Sequence, residues 1–146
     1  MLKHLPPLLT PSLLFGLAKM GHGDWLAIVD ANFPAHRVAR HAGAELIEMP
    51  GVSTSMVLQA VLGVFPVDTF DQPSSVSMQV VSDPSMVPAP VSEFIDLMAA
   101  HQVAAPKSLE RFAFYDLAQR AQVLVQTGDM RKYANILLCK GVISVD

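Results

Sequence analysis

The stretch MGHGDWLAIVDANFPAH, Met20 to His36, holds the first group suited to proton chemistry. His22 stands between two glycines, residues that allow positive φ and close approach of a ligand. An imidazole titrates near neutrality, so it can both give and take a proton. The alternative is a histidine that caps or packs. Asp30 ends the apolar run that follows. In parallel sheets, ligands bind beyond the carboxyl ends of strands, where a carboxylate can accept hydrogen bonds from hydroxyl groups. The alternative for Asp30 is a loop cap. Asp24, beside Gly23, reads as a turn or cap residue.

A second group lies further along. Arg111 and Tyr115 in RFAFYDLAQRA are four apart and share a face if that stretch is helical. Arginine offers a fork of donors; tyrosine offers a hydroxyl on a ring that can lie against a sugar face. An ordinary amphipathic helix start is the alternative. Tyr133 and Asn135, in YAN, stand just before an apolar run and pair a phenol with an amide, with plain turn chemistry as the alternative. His36 and His41 are five apart, with no cysteine or carboxylate in a ligand pattern beside them, so no metal site is expected. There is no GxGxxG, phosphate-binding loop or GxSxG elbow. Cys139, inside an apolar run, reads as core rather than nucleophile. The set suits a small polar ligand, uncharged or weakly charged.

These groups need elements to hold them. Pro11 and Ser12 open a helical pattern with Leu13, Leu14, Leu17 and Ala18 on one face. WLAIVD, Trp25 to Asp30, is a short continuous apolar run, as expected of a strand covered on both faces. ANFPAH reads as a loop because Pro34 interrupts it. Ala44 to Met49 is a second strand, and Ser53 caps a helix from Thr54 to about Phe65. Ser75 to Val81 alternates as a half-buried strand, and SDPSMVPAP is a proline-rich turn region. Pro90 to His101 and FAFYDLAQRAQ read as helices. Val123 to Gly128 and Asn135 to Gly141 read as strands separated by a polar turn. Strands alternating with helices give an α/β fold: one domain over residues 1–146, a three-layer sandwich around a mostly parallel sheet.

Bulk composition limits the partners. The formal net charge is −3 and the ten Lys and Arg are scattered, which argues against a nucleic-acid partner. Hydrophobic residues make up 51% of the chain and charged residues 16%. A small domain cannot hide so much apolar surface internally, so burial against further copies is expected. MLKHLPPLLTPSLLFGLA has the charge and apolarity of a secretory signal, but Pro6, Pro7 and Pro11 interrupt it and no cleavage pattern follows. It reads as a turn and then a helix of the domain. No apolar run is long enough to span a bilayer. A lone cysteine is read as a reduced thiol in a cytoplasmic protein.

Six ordered blocks carry a wider resemblance: MGHGD, DANFPAH, VDTF, ERFAFYDLAQRAQ, TGD and KYANILLCKGV. With these the chain resembles the family of L-fucose mutarotases and D-ribose pyranases, which exchange sugar anomers. The resemblance implies that His22 is the proton-donating histidine. It implies that Asp30, Arg111, Tyr133 and Asn135 bind substrate, with Met78 as a further contact. In the fucose branch Asp68 and Tyr115 match residues with catalytic roles. The family forms oligomers, often ten-membered double rings, with pockets near subunit boundaries. The implied ligand is a monosaccharide. No metal or organic cofactor is expected, because ring opening moves only protons. The block around Arg111 and Tyr115 favours L-fucose; a D-ribose pyranase activity and a non-catalytic sugar-binding protein are the alternatives, and a metal-dependent isomerase is disfavoured by the ligand spacing.

Overall fold

The computed structural model describes residues 2–144. Its organising element is β1, Trp25–Val29, at the centre of a six-stranded sheet. Leu26 and Ile28 point to one face, Ala27 and Val29 to the other, and all four are fully buried. That two-sided burial is why this strand is a continuous apolar run rather than an alternating one.

The other strands are β2 (Glu45–Met49), β3 (Ser75–Met78), β4 (Lys107–Leu109), β5 (Ala121–Thr127) and β6 (Ile136–Cys139). The order across the sheet is β2-β5-β1-β6-β3-β4. Pairs β1/β5, β2/β5 and β3/β4 are parallel; β6 runs antiparallel to both β1 and β3. The reversal of β6 puts its first residues beside the carboxyl end of β1 and its last residues beside the start of β1.

Five helices cover the sheet: α1 (Pro11–Lys19), α2 (Ala35–Ala42), α3 (Thr54–Leu62), α4 (Ala89–Ala100) and α5 (Arg111–Ala118). One core joins residues of α1, α3 and α4 to one sheet face, and a second joins residues of α2 and α5 to the other. The expected three-layer α/β/α arrangement with a mostly parallel sheet is therefore present. Helix starts follow local chemistry. Thr10 Oγ1 accepts from the Leu13 N–H at 3.2 Å, Ser53 Oγ from the Met56 N–H at 3.3 Å, and Glu110 Oε2 from the Phe112 N–H at 2.8 Å.

Several expectations need correction. Residues 35 and 36 are not loop: α2 begins at Ala35, with Pro34 as its N-cap. A proline at a helix start gives up no intrahelical bond, so Pro34 opens the element instead of breaking it. α3 stops at Leu62, three residues short of Phe65, with Gly63 as its C-cap; the Val64 N–H bonds the Val61 carbonyl three residues back, tightening the last turn out of the α pattern. β3 ends at Met78 rather than Val81, and its four residues are all buried rather than half-buried. α4 begins and ends one residue before the expected Pro90 to His101. β5 starts two residues before Val123. The three-residue β4 carries no strand pattern in the sequence: KSL is largely polar and short, as an edge strand tends to be.

A buried polar network ties α3 to the sheet ends. Thr54 Oγ1 donates to the Ala134 carbonyl at 2.8 Å and lies 3.1 Å from Thr127 Oγ1. Thr127 Oγ1 donates in turn to the Val29 carbonyl at 2.9 Å. Just beyond Thr127, the chain crosses so close to Pro50 that a Cβ at Gly128 would overlap the Pro50 carbonyl. The Gly128 N–H donates to the Val52 carbonyl at 3.0 Å. Gly128→Ala is expected to destabilise the fold by about 3 kcal/mol or more, since backbone rather than a flexible side chain stands in the way. Gly63→Ala, whose new Cβ would meet no atom closer than 3.5 Å, serves as control. Chemical denaturation of the two variants checks this.

Candidate active site

Asp30 follows β1 directly and is buried, with a relative exposure of 4%. Its backbone N–H donates to Asn135 Oδ1 at 2.9 Å, and Asn135 Nδ2 donates back to Asp30 Oδ2 at 2.8 Å. The two bonds set the orientation of the Asn135 amide. Asp30 Oδ1 accepts from the Asn32 N–H at 2.9 Å. Burial pushes the Asp30 carboxyl above its ordinary range, against the opposing pull of the hydrogen bonds from Asn135 and Asn32.

A cleft of about 180 Å³ opens over this pair, lined among others by Phe33, Met78, Tyr115, Tyr133 and Asn135. Tyr115 comes from the second turn of α5, and its ring lies 5.3 Å from that of Phe33 at an interplanar angle of 31°. Met78 ends β3 and is buried. Tyr133 has φ 64°, a left-handed conformation that costs a bulky residue free energy and that only a determined surrounding sustains. Its hydroxyl accepts the Val81 N–H at 3.3 Å.

That surrounding is the turn before β6. Asp129 Oδ1 accepts from Arg131 Nε at 3.0 Å and from the Arg131 N–H at 3.1 Å; Oδ2 accepts from Arg131 Nη2 at 2.8 Å and from the Thr54 N–H at 3.2 Å. Arg131 Nη1 donates to Glu93 at 2.6 Å. Burial opposes ionisation of Asp129, but the bonds from Arg131 and Thr54 outweigh it and hold the carboxyl below its usual range. With Thr54 also on the Ala134 carbonyl, both sides of Tyr133 are fixed.

His22 lies elsewhere. It sits on the turn between α1 and β1, where Gly23 has φ 86°. Asp24 acts as the expected turn residue, its Oδ2 accepting the Gly21 N–H at 2.7 Å. His22 Nε2 is 3.3 Å from Asp68 Oδ1, and its ring meets that of Phe70 edge-on at 6.0 Å. The His22 side chain is 46% exposed, whereas that of Asp68 is 1% exposed. Asp68 also accepts the N–H groups of Phe70 at 3.2 Å and Asp71 at 3.0 Å. Burial again opposes ionisation, but these N–H groups and the His22 ring outweigh it and keep the Asp68 carboxyl low.

The two clusters stand at opposite ends of β1. Gly23 to Asp30 along an extended chain is roughly 20 Å at ~3.3 Å per residue, beyond the reach of any side chain. One chain therefore unites Asp30, Met78, Tyr115, Tyr133 and Asn135 in one place and His22 with Asp68 in another. Arg111 opens α5 at the cleft end, two residues past the Met78–Leu109 pair, but does not line the cleft. Its guanidinium rests on the Phe112 ring, 4.7 Å from the centroid. Arg111 and Tyr115 both lie on α5, which begins one residue before the expected Phe112 and ends at Ala118 rather than Gln122. Asn32, Phe33 and Lys132 line the cleft without having been assigned a role from sequence; the signal available was their adjacency to Asp30 and Tyr133. Among the described residues no three His, Cys, Asp or Glu side chains converge as a metal site. Nor, among the described residues, is any helix long and apolar enough to cross a membrane.

The raised carboxyl of Asp30 has a consequence for stability. The folded chain holds that proton more tightly than the unfolded chain, so its contribution falls as pH rises from the ordinary carboxyl range through the elevated folded value. Asp30→Asn removes this dependence. Asp30→Asn is expected to gain stability relative to the unmutated protein as pH rises through that window, measured by urea unfolding at a series of pH values.

Residues 3–143 match the RbsD / FucU transport protein family. The chain is 41% identical over 145 residues to a fucose mutarotase of Danio rerio, covering 97% of this chain and 94% of that protein. It is 36% identical to an L-fucose mutarotase of Histophilus somni, covering 99% of each. The fold matches the crystal structure of the fucose mutarotase of Streptococcus pneumoniae in complex with L-fucose, with a TM-score of 0.89 and 34% identity over 98% of this chain and all of that one. Ordered motifs, topology and full-length likeness agree: the chain belongs to the RbsD / FucU family.

Proposed function

We propose that the chain is an isomerase that exchanges the α and β anomers of L-fucose by opening and reclosing the sugar ring. The observation that carries this reading is the likeness, over nearly the whole chain, to proteins named fucose mutarotase. The cleft supports it chemically. It offers a buried carboxylate and an oriented amide for hydroxyl groups, together with phenol rings to lie against a sugar face.

In the reaction a base takes the proton of the anomeric hydroxyl while an acid protonates the ring oxygen. The aldehyde turns and recloses on its other face. Both transfers run in either direction, so a group able to exchange roles is favoured. We assign His22 as the principal proton carrier, with Asp68 orienting it and Tyr115 as the second proton group. Asp30, Arg111, Tyr133, Asn135 and Met78 bind the sugar. Only protons move, so the chemistry asks for neither metal nor organic cofactor.

Because the His22 end and the cleft end lie far apart in one chain, this assignment needs a second copy. His22 of one subunit meets the cleft of the next. Such a head-to-tail contact uses two different patches, and copies related by a closing rotation form a ring. Exposed apolar residues occur near both ends: Phe70, whose ring meets that of His22, with Val142 and Ile143 following Gly141; and Val81, whose N–H meets the Tyr133 hydroxyl, with Phe112 next to Arg111 and Met130 next to Arg131. The ten-membered double ring implied by the family resemblance is our proposed assembly. The buried free thiol of Cys139 is compatible with the reducing cytoplasm we propose as its location.

Saturation transfer between the anomeric protons of L-fucose measures the exchange. His22→Ala is expected to slow it by ~10²- to 10⁴-fold. Sugar binding with no faster exchange by the unmutated protein, or faster turnover of D-ribose than of L-fucose, would overturn the reading. Co-expressing His22→Ala with Asp30→Ala tests the shared site. Each variant alone is expected to be inactive, while mixed rings recover roughly a quarter of the activity, since half the clefts are intact and half of those face an intact histidine. No recovery in mixed rings would overturn the shared site.

A further inference from the structure

We propose that Lys140 is a positioning residue for His22, acting through the turn that carries the imidazole without touching substrate. This rests on the anomer-exchange reading above. Lys140 immediately follows β6, which ends beside the start of β1. Its ammonium donates to the Leu17 carbonyl at 2.7 Å and to the Met20 carbonyl at 2.6 Å, at the carboxyl end of α1. The last carbonyls of a helix lack intrahelical partners, and a cation is favoured at that end of the helix dipole. On the way the side chain passes the Phe65 ring, with Nζ 5.9 Å from its centroid.

The Lys140 backbone grips the same turn from its other side. The Gly23 N–H donates to the Lys140 carbonyl at 2.9 Å, and the Lys140 N–H donates to the Asp24 carbonyl at 2.8 Å. One residue thus brackets Gly21, His22 and Gly23. The same segment also locates Asp68. The Asp68 N–H donates to the Cys139 carbonyl at 3.0 Å, the Gly141 N–H donates to the Pro66 carbonyl at 2.8 Å, and Val67 pairs with Lys140. Both members of the His22–Asp68 pair are therefore referenced to three consecutive residues, 139–141.

His22 needs this outside control. Its side chain is half-exposed, its turn is flanked by glycines, and its described side-chain contacts are Asp68 and the edge of Phe70. The turn's own bonds join Gly21 to Asp24, and neither of them reaches the imidazole or Asp68. A displacement of about 1 Å in a reacting group is enough to cost ~10²-fold in rate.

Substitution of Lys140 leaves its backbone bonds in place and removes only the two from the ammonium. Lys140→Met keeps an unbranched chain against Phe65 and loses the cation; Lys140→Arg keeps donors and charge. Lys140→Met is expected to lower kcat for L-fucose anomer exchange by ~10- to 100-fold with KM nearly unchanged, because the sugar-binding groups come from the neighbouring subunit's cleft and none of them from this turn. Lys140→Arg is expected to recover most of the loss. In parallel, the nuclear Overhauser contact between the His22 and Phe70 rings should weaken in Lys140→Met, and the Gly23 amide should exchange faster with solvent. Unchanged kcat in the folded Met variant overturns the proposal, and so does a lowered melting temperature with kcat and ring contact intact. If the unmutated protein does not exchange fucose anomers, the functional reading fails, while the ring contact and the Gly23 amide still decide the role of Lys140.

Discussion

The geometry of this protein depends on one strand running against its neighbours. β6 lies between β1 and β3 and is antiparallel to both. Asn135, at its entry, thereby meets Asp30 at the exit of β1, across a separation of 105 residues. Lys140, at its end, meets the turn that precedes β1. A parallel strand in the same place would exchange these two ends. It would put the lysine beside Asp30 and leave the amide beside His22. The pair of hydrogen bonds between Asp30 and Asn135 has both partners buried, so neither group has water to fall back on, and losing one partner would leave the other unsatisfied.

Three carboxylates show how the same burial leads to different outcomes. Asp30, Asp68 and Asp129 are all buried. Asp129 sits against the Arg131 guanidinium, and Asp68 is ringed by backbone N–H groups and the His22 imidazole; both are held in the charged form. Asp30 has neutral partners in Asn135 and Asn32, so desolvation prevails and its proton is held more tightly. The first two serve as fixed anions that organise a turn and a histidine. The third, poised by neutral donors at the mouth of a cleft, is suited to exchange hydrogen bonds with hydroxyl groups. The Arg131–Asp129–Thr54 network matters beyond its own charges, because it sustains the left-handed Tyr133 that a local sequence would otherwise avoid.

Much of the fold was legible in residue patterns. Leu26 to Val29 and Ile136 to Leu138 read as strands because continuous short apolar runs between turn residues have few other uses in a chain of this size. Ser53 and Pro11 marked helix starts through capping chemistry that acts within one turn. The misread elements fail for equally local reasons. Pro34 reads as a breaker because its position relative to a helix start is invisible without the helix. Lys107–Leu109 carries no apolar signal, since an edge strand meets a neighbour on one side only. The residue types around the site were likewise legible, and the family motifs gathered them into one list. Their division was not: His22 and Asp30 are close in sequence, and the extended strand between them is what drives them apart.

Sequence alone determined the chemical inventory and several local elements: which side chains carry protons, that the apolar runs of β1 and β6 are strands, and that helices begin at Pro11 and after Ser53. These are short-range matters of side-chain chemistry, capping and periodicity, so a window of a few residues contains their cause. Tertiary structure alone decided the direction of β6, the facing of Asn135 onto Asp30, the clamp of Lys140 on the turn of His22, and the placing of the two clusters at opposite ends of the sheet. Hydrophobic periodicity has no sense of direction. A strand reads the same whichever way it runs, and only packing between two layers of helices selects one.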